Sequence, residues 1–150
     1  MTVHRLTRIL PYKPEQLAEL VADVDAYPSF LPWITSMRVW NRRTEPDGAR
    51  MLDAVAGVGF AMLRERFSTW VRHDRRANVV EVGLIRGPFR HLKNRWEFHP
   101  DPKGTRLEFM IDFAFKSRML DLVLQANFDR AVASLMRRFE ERAAELYGKG

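Results

Sequence analysis

The spacing of apolar residues changes at Ser117. From Ser117 to Tyr147 apolar side chains recur every three or four residues, which places them on one stripe of a helix. No Pro or Gly interrupts the run before Gly148, and Ser117 is a typical helix N-cap residue. The pattern predicts one long C-terminal helix, whose apolar stripe is formed by Leu120, Leu124, Phe128, Ala131, Val132, Leu135, Phe139, Ala143 and Leu146.

The first two turns of this helix are apolar on nearly all sides, since residues 119–124 read Met-Leu-Asp-Leu-Val-Leu. A helix end that packs on two sides explains this pattern, and it is the interpretation we favour. The alternatives are a lip over a pocket and a contact with a membrane or another subunit.

Most of the preceding chain alternates with a period of two. The segment from Val3 to Leu10 predicts a strand, and the segment from Pro14 to Asp25 predicts a helix. The next segment, residues 27–33, contains two prolines and predicts a short helical turn. Further strands are predicted near residues 37–41, 51–60, 63–73, 79–85, 92–98 and 105–115.

The order of these elements predicts an α+β fold. Short turns between consecutive strands favour antiparallel pairing, and the alternation leaves one face of the sheet covered and one face wet. We expect about seven antiparallel strands, two short helices and one long C-terminal helix packed across the sheet, in a single domain over residues 1–150. One helix is narrower than such a sheet. Large side chains therefore either fill the remaining volume or line a cavity, and the sequence leaves both open.

Composition limits the chemistry. The chain has no cysteine, which excludes disulfides, cysteine-ligated zinc and thiol catalysis. The net charge of +6 favours contact with an anionic surface, either lipid or nucleic acid, and basic clusters lie at residues 72–76 and 86–95. No apolar run is long enough to span a membrane, and we expect a cytoplasmic protein with peripheral contact at the inner membrane.

Catalytic and metal-binding patterns are weak. The four histidines are scattered without metal-ligand spacing, so no metal site is predicted. Glu65, Glu81 and Glu97 lie on predicted strands with a wet face, which favours solvation over acid–base work. We therefore expect no catalytic residues and a binding protein rather than an enzyme.

Four segments resemble one family. Residues 27–33 read Tyr-Pro-Ser-Phe-Leu-Pro-Trp and residues 87–98 read Gly-Pro-Phe-Arg-His-Leu-Lys-Asn-Arg-Trp-Glu-Phe. Residues 111–117 and the helix end from Phe139 to Gly148 complete the pattern. The chain resembles the coenzyme Q-binding protein branch of the START-like, helix-grip superfamily, which also contains polyketide cyclase-like proteins and bacterial proteins described as ribosome-association toxins. Ile34 departs from the pattern, because many relatives have Cys there.

The resemblance implies a carrier for a prenylated quinone such as ubiquinone, with no obligatory cofactor. It places the quinone between the sheet and the C-terminal helix and implies a role in respiratory electron transport. Contact with an anionic membrane suits such a cargo. The first alternative is a toxin-like protein that binds the ribosome or its RNA, and the lesser alternative is a cyclase-type enzyme.

The candidate ligand-binding residues are aromatic or apolar, and for each of them a purely structural role is the alternative. Trp96 and Phe98 share a strand face with Leu92, and the pattern fits core and pocket equally well. Phe89 follows Gly87 and Pro88 as an exposed aromatic at a turn. The full candidate set is Phe30, Pro32, Trp33, Phe60, Phe89, Trp96, Phe98, Phe113, Leu124, Phe128 and Val132.

Overall fold

The computed structural model describes residues 3–60 and 63–148, and all of their side chains except those of Phe60 and Leu63. Seven strands and four α-helices occur within these residues. In chain order they are β1 Val3–Leu10, α1 Pro14–Ala22, α2 Tyr27–Phe30, β2 Ile34–Thr44, β3 Arg50–Phe60, β4 Leu63–Asp74, β5 Val79–Arg86, β6 Phe89–Asp101, β7 Gly104–Phe115, α3 Arg118–Ala126 and α4 Phe128–Tyr147. A 3-10 turn, Val24–Ala26, joins α1 to α2.

The strands form one antiparallel sheet in the order β1-β7-β6-β5-β4-β3-β2. The first strand and the second strand are therefore the two edges. The segment that contains α1 and α2 carries the chain from one edge to the other. The predicted α+β architecture is confirmed, with a helical C-terminal segment closing the sheet.

The main core lies between the sheet and the helices α1 and α4. Val80, Trp96 and Phe109 lie side by side on three neighbouring strands and are all buried. Leu17 of α1 and Phe139 of α4 belong to the same cluster. Each such side chain contributes about 1.5–3 kcal/mol when fully removed from water. This burial is what holds the two helices against the sheet.

A second apolar cluster lies at the end of the sheet next to α3. Phe89, Phe113 and Phe115 are buried there, and α3 adds Leu120 and Leu124. We call this group the phenylalanine cluster. The rings of Phe89 and Phe115 stack with centroids 4.4 Å apart. The cluster attaches α3 to the strands β6 and β7.

The prediction of one uninterrupted helix from Ser117 to Tyr147 is wrong, because the helix breaks at Asn127. The Asn127 N–H is shared between the carbonyls of Val123 and Leu124, at 3.2 and 3.3 Å. Its side-chain Nδ2 also donates to the Val123 carbonyl, at 2.7 Å. An asparagine side chain that competes with the backbone for a carbonyl disfavours regular helix. The result is two helices, α3 and α4.

The predicted ends of the helical segment are confirmed. Ser117 Oγ accepts a hydrogen bond from the Leu120 N–H at 3.2 Å, as expected of an N-cap. Gly148 follows Tyr147 with φ at +81° and donates its N–H to the Ala144 carbonyl at 2.9 Å. This left-handed conformation suits glycine and stops the helix.

The expectation that the start of this segment packs on two sides is also wrong. Leu120 and Leu124 pack on the phenylalanine cluster. Met119, Leu122 and Val123 point away from it and are 78%, 71% and 54% exposed. No residue of α3 is buried. This helix therefore presents one apolar side to the protein and another to solvent.

Candidate functional site

An open groove of about 410 Å³ lies between β1 and the first turns of α4. Phe128 is the first residue of α4, so the break at Asn127 sets where this wall of the groove begins. The lining residues are Val3, His4, Arg5, Leu6, Arg8, Phe109, Phe128, Asp129, Val132 and Ala133. The groove combines an aromatic and aliphatic wall with charged groups, which suits a ligand with an apolar body and a few polar atoms.

Aromatic rings stack along one wall of this groove. The rings of His4 and Phe128 are stacked with centroids 3.6 Å apart, and the ring of Phe113 lies 5.6 Å from that of Phe128. His4 Nε2 is also 3.0 Å from Gln125 Oε1. His4 therefore connects the edge strand to both α3 and α4, at the point where the two helices meet.

Polar contacts hold α3 against the end of β7. Asp121 Oδ1 accepts a hydrogen bond from the Phe115 N–H at 2.9 Å and one from Gln125 Nε2 at 3.4 Å. The bond from the Phe115 N–H lowers the pKa of Asp121, and Arg90 contributes to the same effect. Gln125 Nε2 also lies 3.4 Å from the Phe113 carbonyl oxygen. Asp121 and Gln125, which are four residues apart, thus anchor one side of α3.

The volume between the centre of the sheet and α4 is filled. Trp96 and Phe98 are 5% and 2% exposed. They border a cavity of only about 20 Å³, which has room for about one water molecule. The Trp96 ring lies 4.4 Å from that of Phe109 and 5.3 Å from that of Phe139. Large aromatic side chains, and not a deep cavity, occupy this part of the interior.

The other candidate residues lie in several places. Phe128 and Val132 line the groove, and Phe113 and Leu124 pack behind Phe128. Phe30 packs edge-on against the ring of Phe139, with centroids 5.3 Å apart, next to the main core. Two further candidates lie near that end of the core, an exposed Pro32 and a half-buried Trp33. The side chain of Phe60 lies outside the described residues.

The expectation that Phe89 is an exposed aromatic at a turn is wrong. Phe89 begins β6 and is 9% exposed. Its ring stacks on that of Phe115 and meets that of Phe67 edge-on, with centroids 5.3 Å apart. The residue is part of the phenylalanine cluster that supports α3.

The opposite, wet face of the sheet carries an ion-pair network. Arg95 binds Glu81 at 3.1 Å and Glu97 at 2.7 Å, and His99 lies 3.1 Å from Glu97 and 2.9 Å from Glu108. The bond from Arg95 lowers the pKa of Glu97. Glu97, His99 and Glu108 hold potential metal-ligand atoms within 4.8 Å of one another. The Arg95 guanidinium already compensates the charge there, which disfavours a cation.

The predicted basic cluster at residues 72–76 is largely neutralised. Arg72 binds Asp47, and Arg75 Nε lies 3.4 Å from Glu19 Oε1. His73 is 6% exposed, and its burial lowers its pKa. Four other basic side chains of the two clusters have no carboxylate within ion-pair distance among the described residues: Arg76, Arg86, Arg90 and Lys93.

The sequence analysis missed the contribution of β1 to the groove. His4, Leu6 and Arg8 alternate on the face that turns to α4, and all three line the groove. A signal was present, because His4 occupies a covered position where the strand pattern favours an apolar residue. A polar residue at a covered position, against which a helix end packs, indicates a specific contact or a binding site.

Comparison with known proteins agrees with this architecture. The chain matches the family described as "Polyketide cyclase / dehydrase and lipid transport" over residues 10–140 and belongs to that family. Its fold is the START-like helix-grip fold, as expected from the sequence. The solved structure of the 18 kDa protein CC1736 from Caulobacter crescentus is similar over 99% of both chains, with a TM-score of 0.82 and 53% sequence identity.

Two kinds of protein are similar to this chain in sequence. The ribosome association toxin RatA of Rickettsia prowazekii is 34% identical over 143 residues, covering 93% of this chain and 94% of that protein. The mitochondrial coenzyme Q-binding protein COQ10 homolog B of Xenopus laevis is 28% identical over 151 residues, covering 95% of this chain. The alignment spans 58% of the Xenopus protein. Within the described residues, no helix is both long and apolar enough to cross a bilayer.

Proposed function

We propose that this protein binds a prenylated quinone, ubiquinone or a similar isoprenoid lipid, and carries it in support of respiratory electron transport. The observation that carries the proposal is the groove of about 410 Å³ between β1 and α4. Its size lies within the range of roughly 300–1,000 Å³ typical of small-molecule sites. Because the interior around Trp96 is filled, we propose that the ligand binds in this groove rather than deeper in the fold.

The groove has the chemistry that a quinone needs. A quinone ring is flat and carries carbonyl oxygens that accept hydrogen bonds. Phe128 offers an aromatic face, and the Arg8 guanidinium lies on the same groove as a donor. Leu6 and Val132 offer aliphatic surface to isoprene units, whose burial contributes about 25 cal/mol per Å².

The relatives support a hydrophobic cargo. The family description includes lipid transport, and one relative is named as a coenzyme Q-binding protein. The same family description includes cyclases, so an enzyme is the lesser alternative. We favour binding over catalysis because, among the described groove residues, none is a nucleophile paired with a base.

The proposed cargo also indicates where in the cell the protein would act. Ubiquinone dissolves in the bilayer, so a carrier must meet the membrane surface to collect and release it. We therefore propose a cytoplasmic protein that makes peripheral contact with an anionic inner membrane. The positive net charge supports this contact, since anionic lipids attract basic surfaces.

The experiment is to extract the purified protein with organic solvent and identify the lipid by mass spectrometry. We expect ubiquinone, at less than one molecule per protein because the lipid is scarce in overexpressing cells. Incubation with excess ubiquinone should raise the amount, and incubation with a polyprenol that lacks the quinone ring tests whether the ring is recognised. If no isoprenoid lipid is retained even after incubation, the carrier function is refuted.

The second candidate is association with the ribosome, as the RatA-named relatives suggest. One feature of this chain favours it. Trp40 is 40% exposed on β2, on the wet face, and an exposed Arg38 lies two residues before it on the same side of that strand. An exposed aromatic beside a cation can stack on an RNA base.

Co-sedimentation with purified ribosomal subunits tests this candidate. Saturable binding that weakens in the Trp40→Ala variant, but not in a control Ile9→Ala variant, would support it. Ile9 is a suitable control because it is 46% exposed on the opposite edge strand. Such binding, together with no retained lipid, would make ribosome association the better account.

A further inference from the structure

The solvent-facing side of α3 is an apolar stripe. Met119, Leu122 and Val123 are 78%, 71% and 54% exposed, and Ala126 is also exposed. Positions 119, 122, 123 and 126 follow the spacing of one helix face. Single exposed apolar residues are common, but a continuous stripe with no partner marks an interaction surface. The stripe is not a by-product of folding, because Leu120 and Leu124 already supply the contact with the protein.

Basic residues lie at the N-terminal end of this stripe. Lys116 and Arg118 lie at the start of α3 and are exposed. Arg90 of β6 adds a third basic side chain, near the end of β7 that precedes α3. The Lys116 N–H donates to the Pro88 carbonyl at 2.8 Å.

One backbone contact fixes the position of Arg90. Arg90 Nε donates to the Phe115 carbonyl at 3.2 Å, which keeps Arg90 beside the start of α3. We name Arg90, Lys116, Arg118, Met119, Leu122 and Val123 the α3 surface.

The carboxylates of this region offset only part of its charge, and Asp121 offsets that of Arg90. Asp121 turns towards β7 and accepts hydrogen bonds from the Phe115 N–H and Gln125. Asp112 is paired with His91 at 2.9 Å. Asp129 lines the groove on α4. The α3 surface is therefore aliphatic at its centre and cationic at its margin.

We propose that the α3 surface docks on an anionic lipid bilayer. Aliphatic side chains on one helix face enter the boundary between head groups and acyl chains, while Lys and Arg beside them meet the phosphates. The cationic margin favours an anionic bilayer over a second copy of this chain as the partner. An apolar patch that pairs with a second copy of this chain would bring like charges together, which opposes dimer formation.

This surface adjoins the proposed cargo site. Gln125 of α3 contacts His4 on the groove wall, and Phe128 follows the break at Asn127. Docking through α3 brings the groove to the membrane from which a quinone is collected. The role given to this docking, quinone collection, rests on the proposed function. The docking itself needs no cargo and is measured without it.

The test is flotation of the full chain with vesicles of phosphatidylcholine and phosphatidylglycerol that contain no quinone. We expect binding that weakens with salt and is much weaker on vesicles of phosphatidylcholine alone. Leu122→Glu should lower the partition coefficient at least tenfold. Leu146→Glu is the matched control, since Leu146 is 48% exposed at the far end of α4. It should leave flotation unchanged.

Two variants that each remove one positive charge test the cationic margin. Each basic residue near an anionic surface changes partitioning about fivefold, so Arg118→Gln should weaken flotation by about that factor. Arg137→Gln on α4 is the control, because Arg137 is exposed outside the α3 surface. Circular dichroism should show that all four variants fold, as expected for exposed positions.

Three results would overturn the inference. The first is wild-type protein that does not float with anionic vesicles, or a Leu122→Glu variant that floats as well as wild type. The second is a dimer in analytical ultracentrifugation that Leu122→Glu dissociates, which would make a second copy the occupant. The third is binding to ribosomal subunits that Leu122→Glu abolishes while flotation is absent. A protein that floats but retains no lipid keeps the docking surface and loses the carrier function.

Discussion

The ring of His4 stacks on the ring of Phe128, with centroids 3.6 Å apart and planes inclined by 16°. This contact joins the first strand to the first residue of α4, next to the break at Asn127. It also forms part of the wall of the groove. The edge strand, the helix break and the proposed ligand site are therefore one structural unit.

Replacing His4 tests this unit. His4→Ala removes an aromatic pair and the contact with Gln125, each worth about 0.5–1.5 kcal/mol, so the free energy of unfolding should fall by about 1–2 kcal/mol. His4→Phe keeps the stack and should lose less than half as much. Urea denaturation measures both. Equal stability of His4→Ala and wild type would show that the contact does not hold β1 to the helices.

Asn127→Ala tests the cause of the helix break. The change removes the side-chain bond to the Val123 carbonyl and introduces the residue with the highest helix propensity. We expect more helix by circular dichroism and a stability higher by about 0.5 kcal/mol. Continuous helix would also move Phe128, so quinone binding should weaken. Unchanged helicity and binding would place the cause of the break elsewhere.

His73 makes stability depend on pH. Burial lowers the pKa of His73 in the folded protein. The unfolded chain, with a histidine pKa of about 6.5, therefore takes up the proton first as the pH falls. The contribution of neutral His73 is complete above that pH and is lost as the pH falls from about 6.5 towards the folded pKa. Urea midpoints at several pH values should show this loss.

His73→Gln should flatten that part of the pH dependence. His91→Gln is the control, because the His91 side chain is 41% exposed and pairs with Asp112 on the wet face. An identical pH profile for wild type and His73→Gln would contradict the assignment.

The network on the wet face should be dispensable for cargo binding. Glu97→Gln weakens surface ion pairs with Arg95 and His99, which are worth at most about 1 kcal/mol each. We expect quinone retention to be unchanged. We also expect Zn²⁺ not to raise the melting temperature, because Arg95 already balances the carboxylates. A Zn²⁺-dependent rise that His99→Ala abolishes would instead establish a metal site.

The alternation of side chains was enough to predict the sheet. On β7, every second residue from Thr105 to Phe115 faces the core, and Met110 and Ala114 are the apolar exceptions on the other face. The period change at Ser117 likewise located the start of the helical segment. These signals are strong because the burial of one face repeats over many residues.

The helix break and the groove were not predictable in the same way. Asn127 lies in a run without Pro or Gly, and its effect depends on a side-chain rotamer that bonds the Val123 carbonyl. Ala131, placed on the apolar stripe by its spacing, is exposed, whereas its neighbour Val132 lines the groove. Whether Trp96 and Phe98 fill the interior depends on how their rings fit against Phe139, which periodicity does not encode.

Titration of purified protein with a short-chain ubiquinone, by calorimetry, tests the central claim most directly. Phe128→Lys places a charge on the groove wall, whereas Ala131→Lys places the same charge on an exposed part of α4. Val132→Trp fills the groove without adding charge and serves if Phe128→Lys does not fold. We predict that wild type and Ala131→Lys bind ubiquinone with similar affinity, and that Phe128→Lys and Val132→Trp bind at least tenfold more weakly. Wild type that does not bind, or folded groove variants that bind as tightly as wild type, would contradict the account.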